Sequence, residues 1–260
     1  MKFVPINQTR LQEMTGAEVV VLDTVTSTND YIEGLLRAQF VEGLLVVAEE
    51  QTAGKGRIEG RRFFSPSGYG IYMSMAVKVN CTMEQAGLIT PAVAVAVARA
   101  VEKVCGIRLQ IKWVNDLYLS GKKVGGIMCN ARADSDSVDS VIVGIGINAQ
   151  QPDMPILGDL VDKIAYLYDD NDLDRNLLIA EIYREVMAIA EELTCADFLG
   201  EYRQRSMLIG NDVDFVLNGN SYHGKVLNID DKANLVVDCG DCVLSLNSGE
   251  VTLHDSVVGK

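Results

Sequence analysis

Ile71, Met73, Met75, Val77 and Val79 alternate with Tyr72, Ser74, Ala76 and Lys78. Side chains along a strand point to opposite faces with a period of two, so this stretch predicts a long half-buried strand with one face on a core. The segment that follows can cover it. Ala86 to Ala98 is the longest apolar stretch, 13 residues that include Thr90 and Pro91. It is too short to span a bilayer and reads as a core helix ending at Cys105. Thr82 and Gln85 have capping-box spacing just before it, and Pro91 either kinks it or sits in its first turn.

Shorter patterns surround this pair. Glu18 to Asp23 and Leu44 to Glu49 read as strands, and Thr28 to Phe40 as a helix capped by Thr28 or Ser27. Leu109–Trp113, Asp116–Leu119, Lys123–Ala131 and Val138–Asn148 read as four more strands, with Ser120-Gly121-Lys122 as a turn. Leu178, Ile182, Val186, Ile189, Ala190 and Leu193 form a helical stripe. After about Met207 the helix pattern ends. Val213–Leu217, Tyr222–Ile229, Leu235–Val237, Val243–Leu246 and Val251–Leu253 alternate with Gly, Asn and Asp turns. A division into residues 1–206 and a small β-barrel over 207–260 is expected.

Thirty-six Asp and Glu face 23 Lys and Arg, a formal charge of −13. Such a chain repels nucleic acid and anionic membrane unless its basic residues cluster. The two histidines, His223 and His254, lie near the C-terminus, and no His-rich metal site fits. Six cysteines are scattered, and Met1 to Arg10 has no signal-peptide pattern, so reduced thiols and a cytoplasmic location are expected. Cys239 and Cys242 read as core or turn cysteines rather than a zinc or redox site, because no second pair accompanies them.

Against that acidic background, Lys55, Arg57, Arg61 and Arg62 fall among Gly54, Gly56 and Gly60 within nine positions. Glycines let a backbone wrap a ligand and cations stabilise phosphate, so the segment Gln51 to Arg62 reads as an anion site or a solvated loop. It is not a Walker loop, since Gly56 follows Lys55. Lys112 precedes Trp113-Val114-Asn115-Asp116; alone it is an edge-strand lysine, and Asn115-Asp116 alone a turn. Gly144, Gly146 and Asn148 share a strand face. The missing side chains leave either a slot for a flat ligand, widened by Gly125-Gly126, or room for a packed helix. A dinucleotide fingerprint is rejected there, because prolines and not a helix follow. Ser27-Thr28-Asn29 alone is a helix cap.

Taken in order, these segments resemble the biotin protein ligases from Val25 to the C-terminus. The resemblance rests on Ser27-Thr28-Asn29, Ala48 to Arg57, Phe64-Ser65-Pro66, Lys112-Trp113, Asn115-Asp116, Val124 to Ile127, Gly144 to Asn148 and Ser248 to Val251. It implies an α+β fold, with a mixed-sheet catalytic domain and a small C-terminal β-barrel. It implies that biotin and MgATP give biotinyl-5′-AMP, and that a lysine of a biotin carboxyl carrier domain then takes the biotinyl group. Carried over, Ser27, Thr28, Asn29 and Gln51 would bind biotin; Lys55, Gly56 and Arg57 would cover the adenylate. Arg61 would approach the phosphates, Asn148 the adenylate, and Lys112 both the biotin carboxylate and the α-phosphate. Lys112 and Arg57 would be the catalytic residues, and no magnesium ligand is assigned. The chain departs from the family at Val114 (usually Pro), at Phe63 (usually Trp) and at Ile58-Glu59, where the loop is one residue longer. About twenty residues before the catalytic segment leave no room for a DNA-binding helix-turn-helix, so no specific DNA and no membrane partner is expected. The oligomeric state stays open, a homodimer included. A lipoate-protein ligase and a non-catalytic biotin or adenylate sensor are the alternatives.

Overall fold

The computed structural model describes residues 4–57, 60, 62–134, 137–152, 163–168, 173–193 and 196–254. In the first part of the chain α1 (Gln8–Thr15), β1 (Val19–Val25), α2 (Thr28–Leu35), β2 (Leu45–Gln51) and β3 (Gly70–Thr82) precede α3 (Ile89–Cys105). β4 (Gln110–Lys112), β5 (Asp116–Leu119), β6 (Lys122–Asp134), β7 (Ser137–Asn148), α4 (Arg175–Glu192) and α5 (Leu199–Arg205) follow. The strands form one seven-stranded sheet in the order β1-β2-β3-β7-β6-β5-β4. β1 and β2 run parallel and every other pairing is antiparallel, so the sheet is mixed.

The alternation in β3 separates two environments. Ile71, Met73, Met75 and Val77 enter the main core with α3 and α4. Ala76 joins Ile32, Leu36, Leu44, Val46 and Ile142 in a second cluster under α2. Tyr72 and Ser74 on that second face are also buried, so β3 is covered on both faces as far as Val77 rather than half-buried. The reason is α2, which occupies the face that the polar half of the pattern had left to solvent.

Thr82 and Gln85 bond reciprocally, Thr82 N–H to Gln85 Oε1 at 3.0 Å and Gln85 N–H to Thr82 Oγ1 at 3.3 Å. This box sits on a 3-10 turn (Gln85–Leu88) that leads into α3, and Pro91 lies in the first turn of α3. α2 is shorter than expected. It stops at Leu35 because Leu36 packs into the second cluster and the chain turns away, with Arg37 N–H on Gly34 O. α1 was not foreseen; its cues are the Asn7 side chain accepting from Arg10 N–H and a left-handed Gly16 at its end. α5, seven residues long, also went unread.

The C-terminal strands β8 (Asp212–Leu217), β9 (Asn220–Ile229), β10 (Leu235–Asp238), β11 (Val243–Leu246) and β12 (Val251–Leu253) form an antiparallel sheet, order β11-β10-β9-β8-β12. Its inward residues, among them Val213, Phe215, Val226, Val237 and Val251, belong to the same continuous core as the large sheet. Trp113 Nε1–H donates to Ala233 O at 2.9 Å across the junction.

Candidate active site

The polar wall of the site begins at the N-terminus of α2. Ser27 caps the helix, its Oγ accepting from Asp30 N–H. The next two side chains therefore point toward the sheet, where Thr28 and Asn29 are buried. Gln51, at the end of β2, accepts from Thr28 N–H at 2.9 Å and from Thr28 Oγ1 at 3.1 Å. Its Nε2 donates to Ser65 Oγ at 3.2 Å. Ser74 on β3 bonds Asn29 Oδ1 and lies 2.7 Å from Thr28 Oγ1. A buried polar group must be paired or it is costly, and this network joins the side chains of Thr28, Asn29, Gln51, Ser65 and Ser74.

The glycine face lies opposite. On β7 Gly144 is registered with Ser74 of β3 and Met128 of β6, and Gly146 with Tyr72 and Gly126. A Cβ on Gly144 would lie 2.2 Å from Asn29 Oδ1, and one on Gly146 would lie 2.7 Å from the Phe63 ring. The expected slot is therefore shared: the glycines make room for the Asn29 amide and for Phe63, which also stacks edge-on to Tyr72.

The basic loop closes the third side. Its ends form a hairpin, with Lys55 bridged to Arg62 and Phe63 N–H on Gly54 O at 2.9 Å. Gly54 is required there, since a Cβ would meet Phe63 O at 2.7 Å. Arg57 Nε–H donates to Asn115 Oδ1 at 3.2 Å and Nη2–H to Gly249 O at 2.8 Å. Asn115 is fixed in turn by Nδ2–H on Ile127 O at 2.8 Å. Lys55 pairs with Asp30 at 2.7 Å at the surface.

These walls enclose a cavity of about 160 Å³. Ser27, Thr28, Asn29, Gln51, Lys55, Gly56, Arg57 and Lys112 all line it. Arg61 falls outside the described residues. Asn148 is not among the lining residues; its Nδ2 donates to Ala165 O at 3.2 Å, so the amide braces a loop beside β7. The sequence reading did not single out Lys123, which lines the cavity 2.6 Å from Asp116 Oδ1. A lysine two positions before a glycine pair has no local signature; only the β5–β6 pairing sets it beside Asp116. Lys112 Nζ sits 6.0 Å above the Tyr118 ring centroid. Burial, and then the charges of Asp116 and Glu250, push the Tyr118 phenol above its ordinary value and keep it protonated. The Trp113–Val114 peptide beside this wall is cis.

The lining carries five cations (Lys55, Arg57, Arg62, Lys112, Lys123) against two carboxylates, Asp116 and Glu250. In a chain of net charge −13 that local excess focuses a positive field on an anionic ligand. Polar hydroxyl and amide groups at one end and cations at the other suit a molecule with a neutral hydrogen-bonding ring and an anionic tail.

Residues 21–148 match the model of the Biotin/lipoate A/B protein ligase family. The bifunctional ligase/repressor BirA of Bacillus subtilis is 33% identical over 252 residues, covering 93% of this chain and 75% of that protein. The biotin–[acetyl-CoA-carboxylase] ligase of Mycobacterium tuberculosis is 28% identical, covering 89% and 87%. Among solved structures, the biotin protein ligase of Aquifex aeolicus in complex with biotin and ATP superposes with a TM-score of 0.75 at 25% identity. That match covers 92% of this chain and 99% of the other.

Proposed function

The chain belongs to the biotin/lipoate A/B protein ligase family as a biotin protein ligase, and from this premise we propose how its cavity performs the two half-reactions. In the first, a biotin carboxylate oxygen attacks the α-phosphorus of ATP. The bond to pyrophosphate breaks and biotinyl-5′-AMP forms. In the second, a lysine amine of a biotin carboxyl carrier domain attacks the acyl carbon, the bond to AMP breaks, and the amine loses a proton.

The observation that carries this reading is the join of two unlike walls in one cavity. Ser27, Thr28, Asn29 and Gln51 offer donors and acceptors to the ureido ring of biotin. Lys112 and Lys123 face the far end, where a carboxylate must approach an anionic phosphorus. Cations held in place before the reaction stabilise the charge that develops there. Lys55, Gly56, Arg57 and Arg62 cover the adenylate and exclude water, which would otherwise hydrolyse the acyl phosphate. Arg61 belongs to the same loop. Asn148 acts through the backbone it braces rather than by touching the nucleotide. Arg57 and Lys112 stand as catalytic residues, with Lys123 added to them.

Magnesium fits the donor set. It takes one or two carboxylates together with substrate phosphates, and Asp116 and Glu250 are the two lining carboxylates among the described residues. They would hold the ion, which supplies charge neutralisation at the phosphates.

Residues 1–206 act as the catalytic unit, and residues 207–260 contribute one wall through Gly249 to Val251. The partner is a carrier domain in the cytoplasm. The net negative charge, with cations concentrated in the cavity, disfavours operator DNA and anionic membranes. No helix among the described residues is long and apolar enough to cross a membrane.

The test is mass spectrometry of a carrier domain incubated with the protein, ATP, magnesium, and biotin or lipoate. Biotin is expected on one lysine. Lipoate lacks the ureido group and would leave buried polar groups unpaired, at about 1–3 kcal/mol each. Equal transfer of lipoate would make this a lipoate ligase, and no transfer of either would make it a sensor.

A further inference from the structure

The chain's two histidines, 31 positions apart in sequence, meet on the outer face of the C-terminal sheet. His223 of β9 is the cross-strand partner of Asp214 on β8. On the other side Asp214 pairs with Thr252 of β12, which carries His254 to the same spot just past the end of that strand. His223 Nδ1 lies 2.9 Å from Asp214 Oδ1, and His254 Nδ1 lies 2.7 Å from Asp214 Oδ2. The two rings are edge-to-face at 4.6 Å. The three potential ligand atoms all lie within 4.8 Å of one another, the one such group of three among the described residues.

We propose that Asp214, His223 and His254 form a binding site for a divalent transition metal of the zinc class. The donor set selects the class. Two imidazoles and one carboxylate suit zinc, nickel or copper, whereas magnesium and calcium favour oxygen ligands throughout. Three protein ligands leave a fourth tetrahedral position, which water fills at this exposed site. All three ligands sit on or directly beside paired strands, so little chain ordering is needed to bring them together. Binding replaces the two Nδ1–Asp214 contacts by Nδ1–metal bonds. An imidazole proton held on Nδ1 therefore moves to Nε2 or leaves as the metal binds, because the metal takes the Nδ1 lone pair.

The site also has a place in the architecture. Among the described residues β12 is an edge strand of three residues paired only with β8. A metal joining His254 to β8 and β9 ties down its free end. Gly249, Glu250 and Val251, at the other end of β12, line the cavity, and Gly249 O receives Arg57. Occupancy therefore stiffens the wall against which the basic loop rests. A composition of two histidines gave no reason to expect such a site; the register of three strands assembles it.

The experiment uses the full chain, stripped with chelator and titrated with zinc by calorimetry, and with cobalt by its visible spectrum. One equivalent per chain is expected, with a zinc-dependent rise in Tm. His223→Gln and His254→Gln should each weaken binding by at least about tenfold, since even the loss of outer partners of a metal ligand typically costs that much. Cys239→Ser combined with Cys242→Ser should leave it unchanged. Imidazole NMR on the parent protein gives a readout that needs no variant. With two histidines in the chain, zinc should shift the Nδ1 signals of both. Binding that survives in both histidine variants, or that disappears with the cysteines, would overturn the proposal, as would imidazole signals untouched by zinc. Ligase activity enters none of these measurements, so the proposal and the catalytic reading can fail separately.

Discussion

Lys112 on β4 and Lys123 on β6 reach one cavity from either side of β5 but are held differently. Lys112 sits over the Tyr118 ring, and Lys123 is bonded to Asp116. Loss of a charge-assisted donor to a developing anion typically costs about 3 kcal/mol, on the order of a hundredfold in rate. Lys112→Ala and Lys123→Ala should each fold and lose pyrophosphate release by about that factor. Near-normal release by Lys112→Ala would return that residue to a surface lysine and leave Lys123 with the role alone. Gly144 poses a different problem. An added Cβ would overlap the Asn29 side chain, which is buried and bonded to Ser74. Overpacking of this kind costs about 1–3 kcal/mol. Gly144→Ala should therefore raise the Kd for biotin roughly tenfold or more, read by calorimetry, with little change in ATP affinity. Unchanged biotin affinity would remove Asn29 from the binding wall.

Two loops act as units. In the basic loop Arg57 spans Asn115 and Gly249 O, joining the large sheet to the small one. Arg57→Gly removes both ties and a cation while Lys112 and Lys123 remain. The variant should still make biotinyl-AMP but release it faster, and the freed adenylate should acylate lysines on an unrelated protein. The dissociation rate of biotinyl-AMP decides this; retention equal to the parent's would mean that the loop is not the lid. The second unit is the turn 230–234. Asp230 Oδ1 accepts from Lys232 N–H at 2.9 Å and Asn234 N–H at 2.8 Å, and Oδ2 accepts from Asn234 Nδ2 at 2.9 Å. Burial opposes the charged carboxylate, but the hydrogen bonds from Asn234, Lys232 and Ser245 outweigh it and hold its pKa below the usual range. A group with a lowered folded pKa contributes stability above its unfolded pKa, and that stability is lost as pH falls through the folded value. Asp230→Ala should thus lower unfolding free energy by about 1–3 kcal/mol at neutral pH. The gap between parent and variant should close as pH drops below the carboxylate range. Urea titrations at neutral and acidic pH give both numbers; a gap independent of pH would mean that the carboxylate charge contributes nothing.

The two sheets share one apolar core, and polar ties cross their junction at Trp113–Ala233, Arg57–Gly249 and Arg203–Ile229 O. A small domain with its own core could unfold first; one welded in this way should not. Trp113 is the one tryptophan of the chain and lies at the junction. Its fluorescence therefore reports the interface, and far-UV circular dichroism reports the whole. The two urea transitions should coincide. Trp fluorescence that changes well before the circular dichroism signal would mean that the small sheet detaches on its own.

Local periodicity by itself determined most of the elements. β3, the strand runs after Met207 and the stripe of α4 were legible because side chains that alternate between environments write a repeat of two or near four into adjacent residues, and α3 because its apolar run is long and capped. Residue type at fixed spacing likewise marked Ser27 to Asn29, Gln51 and the basic loop, of which Ser27, Thr28, Asn29, Gln51, Lys55, Gly56, Arg57 and Arg62 line one cavity. What only the tertiary structure decided were the meetings. They are Lys123 with Asp116, the Asn29 amide over Gly144, Arg57 on Gly249, and His223 with His254 on Asp214. Each joins residues through strand register and layer packing. Those depend on long-range pairing free energies that no short window of sequence contains, so the side chains were readable and their neighbours were not.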